Sequence, residues 1–225
     1  MAKNLLTSAL FAGVTVGVLA AILQFIFVVP LLMEGELYET GARVHFSAGV
    51  AESEAGAPAI WGDIGRHIGT VAMNLVAYTG FAFVMVAGFA LAQRAGHSVD
   101  ARSGAIWGLA GFIAVQLAPA VGLPPELPGT VAADLGARQV WWAGCVLATV
   151  LGIAALAFVR GSAGVIGGVV LIALPHVIGA PHLDTYYGIA PPELASHFVT
   201  SSLGVAGASW VLLGTIAGAL WARKA

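Results

Sequence analysis

Charge is what this sequence has least of. Only 9% of its 225 residues are Asp, Glu, Lys or Arg, while 59% are apolar. Soluble domains carry roughly a quarter charged residues, and a soluble fold of this length needs a polar coat that these residues cannot supply. Lipid can cover the apolar surface instead. A net charge of −2 offers no basic face for nucleic acid. The single cysteine, Cys145, excludes a disulfide within the chain and any multi-cysteine metal or iron–sulfur site. It reads as a small apolar residue of a helix. The four scattered methionines do not suit a copper(I) site. No P-loop or other nucleotide motif is present. No Asp, Glu, Lys or Arg lies deep in an apolar stretch, where proton-coupled pumps usually carry one. Nothing in the chain reads as a catalytic motif, so no enzyme is expected.

What is present is long apolar stretches. A helix needs about 20 such residues to cross a hydrocarbon core of ~30 Å. Six stretches qualify or nearly do: 5–32, 68–93, 103–123, 139–159, 161–180 and 198–222. The first is too long for a signal-peptide core and lacks a clear small-residue cleavage site, so it reads as retained. The fifth is interrupted by Pro175 and His176. The expected fold is an all-α, polytopic membrane helical bundle of about six transmembrane helices, forming one domain over 1–225. Placing the N-terminus inside puts Lys3, Arg94, Arg102, Arg160, Arg223 and Lys224 on the cytoplasmic side, and Arg43, Arg66 and Arg138 outside. That bias favours both ends inside. Trp61, Trp141, Trp142, Tyr186 and Tyr187 then fall at the outer boundary, and Trp107 and Trp221 near the inner one, where amphipathic rings settle.

The outer loops are long and acidic. The loop 34–62 holds Glu34, Glu36, Glu39, Glu52 and Glu54, with Glu39 and Arg43 spaced i,i+4 for an ion pair on a helical part of it. The outer ends of the odd-numbered stretches look alike. Pro30 precedes EGELYE, Pro119 precedes PPELPG (124–129), and Pro175 precedes Gly179, Pro181 and then PPELASH (191–197). This pattern suggests three helical hairpin repeats. Within the apolar stretches, G-x-x-x-G pairs occur at Gly13/Gly17, Gly104/Gly108, Gly164/Gly168 and Gly214/Gly218. Thirty glycines give about four such pairs by chance, so the motif carries little weight, although small residues still permit close helix packing. Gln24, Asn74 and Gln116 are the mid-span polar groups and read as helix-to-helix glue.

Five of the six histidines fall on the outer side: His45, His67, His176, His182 and His197. Ten of the eleven carboxylates accompany them, with only Asp100 inside. Imidazole with carboxylate suits borderline divalent metals such as cobalt, nickel and zinc. An acidic vestibule also concentrates cations before any ligation. His176 would lie about five residues, or ~7 Å, below the outer boundary at 1.5 Å per residue. Proline frees backbone carbonyls there, and irregular backbone at that depth is tolerated when it lines a cavity. His176 and His182 are six apart and share no helical face. They converge only if Gly179 and Pro181 break the helix. His197 opens the sixth helix. The candidate metal residues are therefore His176, His182, His197, Asp184, Glu193, Glu126 and His67.

The segment QLAPAVGLPPELPGTVAADLGARQVWW (116–142) resembles the signature of the CbtA family of predicted cobalt transporter subunits. LPHVIGAPHLD followed by APPELASHF is similar to that family's C-terminal half, and the apolar helix running into EGELYE fits its start. The resemblance covers essentially the whole chain. It implies a multi-pass protein of the bacterial inner membrane, associated with cobalamin biosynthesis and cobalt uptake. It also implies a small single-span partner, CbtB, with a histidine-containing terminus. The family is commonly described with five spans, where six are counted here, and no functional residues carry over from it. Cobalt would be the transported ion, with no tightly bound cofactor. Two other readings stand beside this one. A non-transporting assembly or metal-sensing subunit fits the lack of buried charge. A haem or quinone enzyme fits less well, because only His176 is clearly within a stretch.

Overall fold

The computed structural model describes residues 2–45, 62–185 and 188–223. Expectations that fall on Glu52, Glu54, Trp61, Tyr186, Tyr187 and Lys224 lie outside the described residues. Among the described residues all regular structure is helical. The order is α1 (Ala2–Phe27), α2 (Val29–Glu39), α3 (Ile64–Arg94), α4 (Ala101–Phe112), a π turn (Ile113–Leu117), α5 (Ala118–Ala120), α6 (Leu135–Phe158), α7 (Ser162–Ile178) and α8 (Pro192–Ala222). Among the described residues, five segments are long and apolar enough to cross a membrane: Lys3–Phe27, Ile64–Arg94, Ala101–Ala120, Leu135–Phe158 and Pro192–Ala222. The sixth, α7, has 17 residues. It is about 25 Å long at 1.5 Å per residue, just short of the hydrocarbon thickness.

The three prolines that look equivalent in sequence act differently. The stretch 5–32 is not one helix. It ends at Phe27, and α2 restarts at Val29 with Pro30 in its first turn, where a missing N–H costs nothing. Before Pro119 the ladder widens into the π turn, which absorbs the ring next to the carbonyl four residues back. At Pro175 the helix carries on to Ile178 without interruption, so the break expected at Pro175–His176 is absent. The backbone leaves the helix instead at Gly179, whose φ of 87° only glycine adopts without strain.

Three aspartates cap helix starts, a role fixed by their spacing ahead of apolar runs. Asp63 accepts from Arg66 N (2.9 Å) and Asp134 from Ala137 N (2.9 Å). Asp100 accepts from both the backbone N–H and the hydroxyl of Ser103, each at 2.8 Å, while Ser103 Oγ accepts from Asp100 N. The Ser103 donors hold the exposed Asp100 carboxyl below its ordinary value of 3.8. A lowered folded value means the cap contributes fully above the unfolded value and is lost as pH falls through the folded one. Asp100→Ala should therefore melt earlier than the parent protein at neutral pH, and the gap should close in acid. A gap that persists unchanged in acid would place its origin elsewhere.

The chain forms two compact units. The first comprises residues 1–28, 59–112 and 204–225, and the second 29–58 and 113–203.

In the first unit α1 lies antiparallel to α3 through a face of small side chains. Ser8, Ala9, Ala12, Val16, Ala20 and Ala21 are all buried. Cβ atoms added at Gly13 and Gly17 would run into the backbones of Thr79 and Leu75. The α4–α8 crossing is closer still. Gly104 and Gly108 face Gly214, Gly218 and the Trp210 carbonyl, backbone against backbone. All four G-x-x-x-G pairs within the apolar stretches lie at close approaches, because Gly164 meets the Val159 carbonyl and Gly168 meets Leu156 and the Gly152 carbonyl in the second unit, whereas the further pair Gly65/Gly69 in α3 meets no neighbouring helix. The low weight given to the motif from composition is thereby corrected. Trp221 does not face lipid. It is 3% exposed, and its Nε1 donates to Gln93 Oε1 at 3.1 Å, tying α8 to α3.

In the second unit α6 and α7 pack antiparallel. Gly152 fits against Ile172 and the Gly168 carbonyl, and Trp141 fits against Pro175.

Candidate functional site

The second unit brings the proline–glutamate segments together. Gly35 of EGELYE lies on the PPELPG turn, where a Cβ would stand 2.9 Å from Leu127 Cδ2. Gly129 lies on Ile189, just ahead of PPELASH, and on the Cβ of Glu39 at 3.2 Å from its own would-be Cβ. Leu127, 4% exposed, is buried at the centre of this cluster. Their resemblance was visible in the sequence, but their meeting was not.

The acidic side chains here are partly committed. Glu126 accepts from Arg138 Nη2 at 2.6 Å, and Glu34 accepts from Arg43 Nη1 at 2.8 Å. The expected Glu39–Arg43 pair gives way to Glu34–Arg43 for a local reason. Helix α2 stops at Glu39, and the chain reverses at Gly41 (φ 76°). Arg43 N then donates to the Leu37 carbonyl at 2.9 Å, which swings the guanidinium back along α2. Asp63 and Asp134 serve as caps. Asp184, on the loop after α7, and Glu193, in the first turn of α8, are exposed.

The histidines occupy distinct settings. His176 is half-buried on the last turn of α7, with its ring edge-on to Trp141 at 6.0 Å between centroids and 69° between planes. Trp141 Nε1 donates to the Pro175 carbonyl (3.1 Å), which also accepts from Gly179 N (3.0 Å). Gly122 completes this arrangement. A Cβ there would lie 2.8 Å from Trp141 Cη2 and 2.7 Å from Ala180 Cβ. His182 and His197 are exposed, one on the loop and one in the second turn of α8.

His67 belongs to the first unit. It is 7% exposed and packs edge-on against Phe25 at 5.2 Å and 85°. Further along its face of α3 come Asn74 and Tyr78, both buried. Asn74 Nδ2 donates to Gln24 Oε1 and to the Thr70 carbonyl, each at 2.9 Å. The Tyr78 and Ser209 side chains are hydrogen-bonded, and Ser209 Oγ donates to the Val205 carbonyl at 2.8 Å. The glue expected of Gln24 and Asn74 is thus a direct pair.

Among the described residues no three His, Cys, Asp or Glu side chains stand together as a group that could hold a metal ion. Three of the reasons are local. Helix α7 runs past His176, Glu126 is taken by Arg138, and His182 and Asp184 lie out on the loop. Trp141, which reads in sequence as an interfacial ring, joins α6 to the end of α7. Its place between the proline-rich segments was the available signal.

Five apolar helices of spanning length and a shorter sixth among the described residues define a multi-pass helical membrane protein. The chain belongs to the family described as "Probable cobalt transporter subunit (CbtA)", whose model matches residues 2–222. No curated protein and no solved structure matches it.

Proposed function

We propose that this chain is the membrane permease subunit through which divalent cobalt enters the cell for cobalamin synthesis, across the bacterial inner membrane. The observation that carries this reading is the family match over nearly the whole chain. The charge distribution supports it, because an acidic outer face draws hydrated cations toward the second unit. Cobalt is cargo here, with no resident cofactor.

His182, Asp184, Glu193 and His197 are exposed and meet the ion first. His176 receives it deeper, at the end of α7. Glu126 joins only by exchanging Arg138 for the cation. His67, in the first unit, is the remaining candidate ligand. Small ligand sets suit release better than tight binding. Inward movement comes from rearrangement of the α7 end, where Pro175 has removed a ladder bond and Gly179 ends the helix. A small single-span subunit with a histidine-bearing terminus completes the transporter.

Cobalt uptake by cells making both subunits tests the reading. His176→Ala should lower the initial rate about tenfold, the scale of losing one good ligand contact. An unchanged rate would remove His176 from the path. The lack of a charged residue deep in any apolar stretch favours a second reading, an assembly or metal-sensing subunit. Vesicles containing the chain, with and without its partner, separate the two. Cobalt flux that requires this chain supports the permease, and flux through the partner alone supports the assembly role.

A further inference from the structure

We infer that Trp141 is a positioning residue for the cation site, holding the imidazole of His176 in its receptive orientation. The inference rests on the reading that His176 contacts the transported ion. Three contacts converge on one indole. Its N–H anchors the Pro175 carbonyl at 3.1 Å, its ring meets the His176 ring at 6.0 Å, and its far edge fills the hollow left by Gly122 beside Ala180.

The anchored carbonyl matters because of the proline. Pro175 cannot donate to Leu171, so the last turn of α7 holds one ladder bond fewer than a regular helix. Gly179 then releases the chain at once. The turn that carries His176 is the weakest part of the helix, and the indole N–H pins it to α6 from outside. The ring contact acts on the imidazole itself. It fills the space into which His176 would otherwise collapse, and an edge-to-face aromatic pair of this kind has a preferred angle. A ligand held this way loses less freedom on capturing a cation. Groups that orient metal ligands typically change affinity 10–100-fold when removed.

The experiment is cobalt binding by the purified full chain in lipid nanodiscs, with divalent cobalt as the probe and melting temperature followed alongside. Trp141→Ala should weaken binding about tenfold, the lower end of that range. Trp141→Phe keeps the ring on His176 and should recover most of the loss while lacking the N–H. In a His176→Ala background, Trp141→Ala should add nothing, because it acts through the imidazole. A full additional loss in that background would overturn the inference, as would parental binding by folded Trp141→Ala. Where Trp141→Ala fails to fold, the same comparison is read from Trp141→Leu. Should His176→Ala bind cobalt like the parent, the site reading itself fails and the inference falls with it. Impaired His176→Ala beside unimpaired Trp141→Ala sinks the inference alone.

Discussion

Gly108→Ala should destabilise the first unit by roughly 2–3 kcal/mol, the upper part of the range for forcing extra atoms into a packed contact. Its new methyl would meet the Trp210 carbonyl oxygen, with the carbonyl carbon at 3.0 Å and Val211 Cα at 3.1 Å. These are backbone atoms, so no rotamer change can yield, and the helices must separate. Separation would also loosen Gly104 against Gly214, because both pairs lie on the same α4–α8 crossing. Ordinary helix propensity predicts the opposite sign, since alanine is favoured over glycine in a helix by about 1 kcal/mol. Gly80→Ala in α3 is the control. Nothing stands within 4 Å of the Cβ it would add, so it should be neutral or slightly stabilising. Melting followed by circular dichroism in detergent, for both variants, decides the matter. Equal behaviour of the two would show that the α4–α8 approach contributes nothing.

Asn74→Leu should cost about 1–2 kcal/mol, near the top of what interhelical hydrogen bonds contribute inside membranes. The loss has two parts. Gln24 Oε1 is deprived of a donor at 2.9 Å, in a place where lipid offers no replacement. The apolar side chain also enters a position that is 6% exposed and shaped for an amide. Replacing both partners removes the first part, since no polar group is then left without its mate. Gln24→Leu combined with Asn74→Leu should therefore be more stable than the sum of the single variants predicts. Strict additivity would mean that the amide pair is incidental to the α1–α3 contact.

These two results bear on how the molecule works. Both contacts lie in the first unit, where α1, α3, α4 and the end of α8 meet through backbone and small side chains. Most of the proposed cation residues lie in the second, on a helix weakened by proline, a loop, and the first turns of α8. Tightly packed glycine crossings leave few ways to rearrange without separating. A helix end with a missing ladder bond, held by an indole, can rearrange at small cost. Of the two, the end of α7 is therefore the easier place to rearrange.

The residues by themselves determined the membrane class and the number and rough limits of the apolar helices. The physical reason is that burial in lipid is set by composition over some twenty consecutive residues, which needs no knowledge of neighbours. The family was legible for a similar reason, since 116–142 is a long contiguous string. Tertiary structure decided the rest. Pro30, Pro119 and Pro175 look equivalent in one dimension, yet one starts a helix, one follows a π turn and one is carried within a helix, because each meets a different neighbour. Glycine pairs that composition explains by chance became the closest contacts, because only the opposing backbone tells a packed glycine from an idle one. The same holds for the carboxylates. Glu126 reads as a free ligand until Arg138, twelve residues away in sequence, folds back onto it.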